Sequence, residues 1–384
     1  MKKSRVISFA VTLSIIFSIC SIFCYAEEGV ADPLSLECRS AVLMEAETGK
    51  ILYAKNENEP LPPASVTKVM TLLLVMEAIE EKRLSYTDIL TASEHACSMG
   101  GSQIFLEPGE KMSVEDLLKS VVIASANDAA VTLAEHIAGT EEAFVEMMNA
   151  KARELGMENS SFENTNGLDD TTQNHVTSAK DIAIMSRELI KYPRITEYSS
   201  IWMDTIRNGD FGLTNTNRLI RFYKGATGLK TGSTAKAGFC ITATAERDGM
   251  TLIAVIMNAP SRDVRNASAT ALLNYGFSNY TLFRSSADGE FQIKVVKGKK
   301  NTCLAIEQGF VAVIEKKKLS KIERKVNISE SLTAPISLGQ AVGTVEYSIG
   351  GEVIGTAEIL SAETVRCVGF GDILIRLLAK MALK

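Results

Sequence analysis

Between residues 40 and 55 the chain runs Ser-Ala-Val-Leu-Met-Glu-Ala, then Glu-Thr-Gly-Lys, then Ile-Leu-Tyr-Ala-Lys, which predicts two strands joined by a glycine-containing turn. Pro60, Pro62 and Pro63 stop that pattern. Val69, Met70, Leu72, Leu73, Leu74, Met76 and Ile79 then recur at helical spacing, so a buried helix starts near Ser65. A second helical stretch opens at Ser113, where Ser-Val-Glu-Asp resembles a capping box ahead of Leu117, Leu118, Val121 and Val122. It resumes from Ala129 to Ala138 after a polar interruption at Ser125-Ala-Asn127-Asp128. Residues 140 to 200 read as helix and loop, with Asn166-Gly167 as a turn. From Gly225 the period changes: 226–232, 239–245 and 250–258 are strand-like, the last two joined by the hairpin signal Arg247-Asp248-Gly249. One mixed domain whose first and last strands share an antiparallel sheet accounts for this order.

Beyond about residue 280 the apolar residues alternate in Phe291–Val296, Phe310–Ile314, Val342–Tyr347 and Glu352–Leu360, with Gly350-Gly351 as a turn. This predicts a separate small β domain. The lysine runs 297–300 and 316–321 read as a solvated strand edge. At the end, Ile373, Leu374, Leu377, Leu378 and Met381 share one helical face, and Arg376, Lys380 and Lys384 recur on the other. A helix of about a dozen residues is too short to span a bilayer core of ~30 Å, so it is expected to lie in the membrane interface. At the start, Lys2, Lys3 and Arg5 precede an apolar run to about Phe23 and the small-Tyr-small pattern Cys24-Tyr25-Ala26, which reads as a secretory signal cut after Ala26. The expected division is therefore signal 1–26, mixed α and β domain 27–283, β domain 284–366 and amphipathic helix 367–384. The chain is expected to be exported and to work at the outer face of the cytoplasmic membrane.

Composition narrows the function. The 384 residues leave room for two or three domains. Lys plus Arg is 41 against Asp plus Glu at 46, a net charge of −5 that becomes −8 once the three cations of the signal are removed, so nucleic acid is not an expected partner. Five cysteines follow the signal with no CxxC, which argues against a disulfide framework while allowing one bridge. Three histidines, none in HExxH, give neither metal nor cofactor a set of ligands to expect.

The chemistry lies in three short motifs. Ser65-Val-Thr-Lys68 sets a hydroxyl and an amine within mutual reach at a helix start, but Ser233-Thr-Ala-Lys236 is another match, so the pattern alone is weak. Ser125-Ala-Asn127 adds a second hydroxyl and an amide at a helix break, and Lys230-Thr231-Gly232 lies on a predicted strand. Their order, with spacings of 60 and then 105 residues, resembles the signature set of the penicillin-binding proteins and serine β-lactamases. The longer phrases Pro63–Thr71, Val122–Ala130 and Thr227–Gly232 resemble the low-molecular-mass penicillin-binding proteins of the peptidase S11 family, which are D-alanyl-D-alanine carboxypeptidases. The implied fold is α+β: a catalytic domain with an antiparallel sheet flanked by helices, followed by a small all-β domain and a terminal amphipathic helix.

The resemblance also implies roles. Ser65 attacks the carbonyl of the penultimate D-alanine of a peptidoglycan stem peptide, and β-lactam antibiotics acylate the same hydroxyl. A serine hydroxyl needs a base, and Lys68 can serve only when neutral, with burial and the like charge of Lys230 as the available causes. Whether Lys68 or a relay through Ser125 and Lys230 moves each proton stays open. Asn127 orients the substrate amide, Gly232 keeps space beside the strand, and the backbone N–H groups of Ser65 and Ser233 receive the oxyanion. Thr231 and Arg265, the latter 35 residues beyond Lys230, hold the terminal carboxylate. His175, His95, His136 and Trp202 read as structural. Two rivals remain at this level: a class A β-lactamase, which usually has Asp where this chain has Ala126, and a non-catalytic penicillin-binding sensor or scaffold. Ser233 also departs from relatives that carry histidine after Lys-Thr-Gly.

Overall fold

A computed structural model describes residues 34–170, 172–285 and 289–382. The signal expected at 1–26 lies outside the described residues, as does Lys384 of the terminal helix. Strands β1 (Ser40–Glu45) and β2 (Ile51–Lys55) form the expected hairpin. They join β3 (Ala226–Thr234), β4 (Gly238–Arg247) and β5 (Met250–Ala259) in an antiparallel sheet of order β2-β1-β5-β4-β3. The first and last of these strands in chain order, β1 and β5, are thus neighbours, with Val42 opposite Val255.

Both faces of this sheet are covered, which explains the nearly unbroken apolar run in β5. Val42, Met44, Ile253 and Val255 join one core with Val69, Leu72 and Leu73 of α1 (Lys68–Glu80). Leu133 of α2 (Asn127–Ala138), Phe144 of α3 (Glu141–Glu154) and Ile182 of α4 (Ala179–Leu189) complete it. Leu43 and Leu252, one position out of phase, point the other way and meet Gly276 of α5 (Arg262–Asn279) so closely that a Cβ there would stand 2.5 Å from Leu252 Cδ1.

Helix α5 is an element the sequence reading did not assign. Asn266, Ser268, Thr270, Asn274 and Gly276 are weak helix formers and dilute the pattern. Its buried positions, Arg265, Ser268, Ala269, Leu272, Leu273, Gly276 and Phe277, nevertheless fall three and four apart, and Ser261 accepts a capping bond from Val264 N–H at 3.2 Å.

After β6 (Tyr280–Arg284) come β7 (Glu290–Val296), β8 (Thr302–Glu307), β9 (Val311–Glu315), β10 (Ile322–Ile328), β11 (Ser331–Thr333), β12 (Ala341–Ile349) and β13 (Glu352–Ser361). Strands β6 and β9 pair with each other, and the rest form a six-stranded sheet of order β10-β12-β13-β8-β7-β11. Its core holds Ile293, Ala305, Val345, Tyr347 and Ile359. The expectation of a lysine-defended strand edge at 316–321 is corrected: this segment is a 3₁₀ turn between β9 and β10. Lys316 donates to the Phe277 carbonyl at 2.6 Å, and Lys317 and Lys318 both pair with Glu315. The run at 297–300 is likewise a turn, in which Lys299 pairs with Asp372 and Lys300 with Glu363. Cys97, Cys240, Cys303 and Cys367 are free thiols. Helix α6 (Phe370–Ala382) closes the described chain.

Candidate active site

Pro63 ends the preceding extended segment and leads into a single 3₁₀ turn, Ala64–Thr67, which hands over to α1 at Lys68. In a 3₁₀ turn residues i and i+3 eclipse each other, so the Ser65 hydroxyl and the Lys68 amine meet, at 3.0 Å. The approach is tighter than the common helical face expected from sequence. Helix α1 is apolar almost all round and sits wholly in the core, which carries Lys68 to complete burial.

Three partners surround the Lys68 amine. Besides Ser65 Oγ, it lies 2.5 Å from Asn127 Oδ1 and 2.8 Å from the Asn166 carbonyl oxygen. Neither of those two oxygens has a hydrogen to give. The other end of the Asn127 amide donates to Gly100 O at 2.6 Å, which fixes its orientation. A neutral amine has two N–H bonds and one lone pair, so with both N–H bonds spent on these acceptors the lone pair faces the serine hydroxyl. Burial holds the Lys68 pKa well below its usual value, and the charge of Lys230 adds to the depression. Asp128 opposes it. That buried carboxylate accepts from the N–H groups of Ile104, Leu106 and Ala129.

Ser125 sits where a π-turn, Ser120–Ala124, meets α2. Its backbone is left-handed, at φ 66°, an unfavourable conformation for a serine that the two flanking helices impose. The break turns its hydroxyl toward the Lys230 amine, which donates to it at 2.8 Å and to the Thr231 carbonyl at 2.9 Å. Burial, with a smaller contribution from Arg265, lowers the Lys230 pKa to about 7.

Strand β3 is an edge of the sheet, so a peptide can add along its open side. Gly232 has a sharper requirement than open space. A Cβ there would lie 2.7 Å from Ser65 N, 2.9 Å from Val66 N and 2.9 Å from Pro63 O, so only glycine lets β3 approach the nucleophile turn. Gly167, at φ 86°, plays the same part for the loop carrying Asn166, since a Cβ would fall 1.9 Å from Ala64 O.

His175 belongs to the support of this turn. Its Nδ1 accepts from Glu163 N–H at 3.0 Å, so Nε2 carries the proton and donates to Thr67 Oγ1 at 2.7 Å; Thr67 in turn donates to the Ala64 carbonyl. Burial pulls its pKa down to about 4, keeping the ring neutral. His95 pairs with Glu141 away from the cleft.

Ser65, Ser125, Thr231, Gly232, Ser233 and Arg265 line one cleft of about 560 Å³, with Lys68 and Lys230 buried directly beneath. Asn127 is buried beside Lys68 and absent from the lining. Thr231 Oγ1 donates to Thr216 Oγ1 at 2.8 Å. Arg265 is almost fully buried, bonded through Nε and Nη2 to Asn266 Oδ1, and burial lowers its pKa to about 10. Trp202, Thr216, Arg218, Phe222 and Arg262 also line the cleft. Sequence reasoning passed over these and took Trp202 for packing. The structure instead puts its ring on the cleft wall, with the Arg221 guanidinium 5.7 Å from its centroid.

With this geometry in place, comparison with known proteins is informative. The family described as D-alanyl-D-alanine carboxypeptidase matches residues 27–261, and the C-terminal domain of penicillin-binding protein 5 matches residues 277–366. D-alanyl-D-alanine carboxypeptidase DacF of Bacillus subtilis is 44% identical over 345 residues, covering 88% of this chain and 88% of its own length. Penicillin binding protein 5 from Haemophilus influenzae superposes with a TM-score of 0.75 at 32% identity, over 86% of this chain and 98% of that one. Penicillin-Binding Protein D2 from Listeria monocytogenes, solved with ampicillin bound, is 33% identical with a TM-score of 0.59, over 64% of this chain and 99% of that one.

Proposed function

The chain belongs to the D-alanyl-D-alanine carboxypeptidase family, and on that premise we propose how its residues divide the reaction. It is a serine-type enzyme that removes the terminal D-alanine from peptidoglycan stem peptides. Ser65 attacks the carbonyl of the penultimate D-alanine while Lys68, neutral, takes its proton. The observation that carries this is the lysine's surroundings: two acceptors without hydrogens occupy its N–H bonds and leave the lone pair on the serine.

The developing oxyanion sits between the N–H groups of Ser65 and Ser233. Ser125 passes its proton to the departing amine and is reprotonated by the Lys230 ammonium bonded to it; water then attacks the ester carbonyl, its proton passes through Ser125 to the now neutral Lys230, and Lys68 returns its proton to Ser65 as the acyl group leaves. Thr231 and Arg265 hold the terminal carboxylate, and Gly232 lets the substrate strand lie close to the nucleophile. Asn127 keeps one N–H and one lone pair beyond its bonds to Gly100 and Lys68, which suffice to orient the substrate amide.

The experiment is D-alanine release from a pentapeptide, run beside benzylpenicillin. Rapid release with a long-lived penicillin adduct is expected. Fast penicillin turnover without D-alanine release would make the enzyme a β-lactamase, and neither activity would make it a scaffold.

The domain division is proposed at 27–283, 284–366 and 367–384, with the last segment as a membrane-surface helix on an exported protein. In α6, Phe370, Ile373, Leu374, Leu378 and Met381 are exposed at three- and four-residue intervals, an apolar stripe open to solvent. No helix among the described residues is long and apolar enough to cross a membrane. Deleting residues 369–384 is expected to move the enzyme from the membrane pellet to the supernatant while leaving D-alanine release from small peptides intact. Sedimentation of the truncated protein with membranes would remove the helix from this role.

A further inference from the structure

Arg265 does not stand alone at its end of the cleft. Arg262 precedes it by three residues on α5, so the two side chains leave the same helix face, and Arg218 reaches the cleft from the start of the short helix Leu219–Phe222. The charges of Arg262 and Arg218 both bear on the Arg265 guanidinium. Arg218 and Arg262 are exposed, and neither guanidinium has a hydrogen bond or ion pair within the described residues. The Asp263 carboxylate also acts on Arg265, with the opposite sign, and is itself exposed.

The cleft also continues at this end. A groove of about 560 Å³ shares Arg218 and Phe222 with it and runs along α5 past Asp263, Asn266, Thr270 and Asn274. Phe222, 73% exposed, forms the wall common to both. A departing D-alanine has one carboxylate and a methyl group. Once Thr231 and Arg265 have taken that carboxylate, two unpaired guanidiniums and an open polar groove remain beyond it.

We infer that Arg218 and Arg262 form an anion subsite on the leaving-group side, favouring substrates whose last residue carries a second carboxylate. The inference rests on the carboxypeptidase reading, in which Thr231 and Arg265 hold the terminal carboxylate. The bond cleaved is the same amide, and the departing amine belongs to a D-amino acid with an acidic side chain reaching toward the groove.

The test compares three peptides that differ only in the last residue: D-alanine, D-glutamate and its neutral counterpart D-glutamine. Wild-type kcat/KM is expected to be about tenfold higher for the D-glutamate peptide than for the D-glutamine peptide at low ionic strength, the ratio falling as salt screens the pairing. Arg218→Gln and Arg262→Gln together are expected to bring the ratio close to one. Their thermal midpoint, no lower than that of wild type because neither guanidinium holds a hydrogen bond or ion pair among the described residues and both repel Arg265, checks the fold. Equal wild-type rates on the two peptides, or a preference that survives in the double variant, would overturn the subsite alone. A wild type that releases no D-alanine from the first peptide would overturn the carboxypeptidase reading and the subsite with it.

Discussion

Replacing Ser65 with alanine is expected to abolish covalent labelling by penicillin and to lower D-alanine release on the order of 10⁶-fold. The size of the loss follows from the absence of a substitute. Ser125, the cleft hydroxyl bonded to the second lysine, accepts from Lys230 at 2.8 Å, whereas Lys68 is directed at Ser65. A residual rate from the oxyanion donors and substrate binding would remain. The fold should tolerate the change, because Lys68 keeps Asn127 and Asn166 as partners and Ser65 is only part-buried. Intact-protein mass spectrometry after incubation with benzylpenicillin reads the result directly, with wild type gaining the mass of one penicillin and the variant none. An adduct on the variant, mapped to Ser125, would transfer the nucleophile's role to that residue.

Much of this site was legible because its chemistry resides in side chains at characteristic spacings. Ser65 meets Lys68, and Ser125 meets Lys230, at the cleft their motifs implied, and Lys68 is fully buried there, as the lowering of its pKa requires. What stayed hidden is carried by the backbone or by distant segments. The Asn166 carbonyl fixes the direction of the Lys68 lone pair, yet every residue has a carbonyl, so no letter marks it. Gly167 reads only as a turn residue and Gly232 only as leaving space beside its strand; the neighbouring backbone that requires glycine at each was not legible. Helix α5 escaped because its packed face itself includes Ser268 and Gly276 among the apolar residues, while Asn266, Thr270 and Asn274 dilute the rest of the pattern. Trp202 reads as core from composition, since a lone tryptophan says nothing about whether a cleft opens beside it.

Lys68→Met is expected to slow penicillin acylation by about 10²- to 10⁴-fold, the usual worth of a positioned base, and to remove the acid limb of its pH profile. In wild type that limb arises because protonated Lys68 has no lone pair for the serine proton. Its midpoint should lie well below the ordinary lysine value, since burial first and Lys230 second disfavour the cation. Lys230, whose pKa burial brings to about 7, adds its own charge to the causes that lower Lys68. Asp128 supplies a control of opposite sign to burial: its carboxylate favours the Lys68 cation, so Asp128→Asn should move the acid limb to lower pH. The stability effect also has a fixed sign. Unfolded Lys68 binds a proton up to about pH 10.4, and the buried residue gives its proton up much earlier. Wild type therefore gains stability relative to Lys68→Met as pH rises from the depressed value toward that of the unfolded chain. Acylation followed from about pH 5 to 9, with urea unfolding at each end, measures both effects. An acid limb that persists in Lys68→Met would assign the base to another group, with the Lys230 and Ser125 pair as the next to vary.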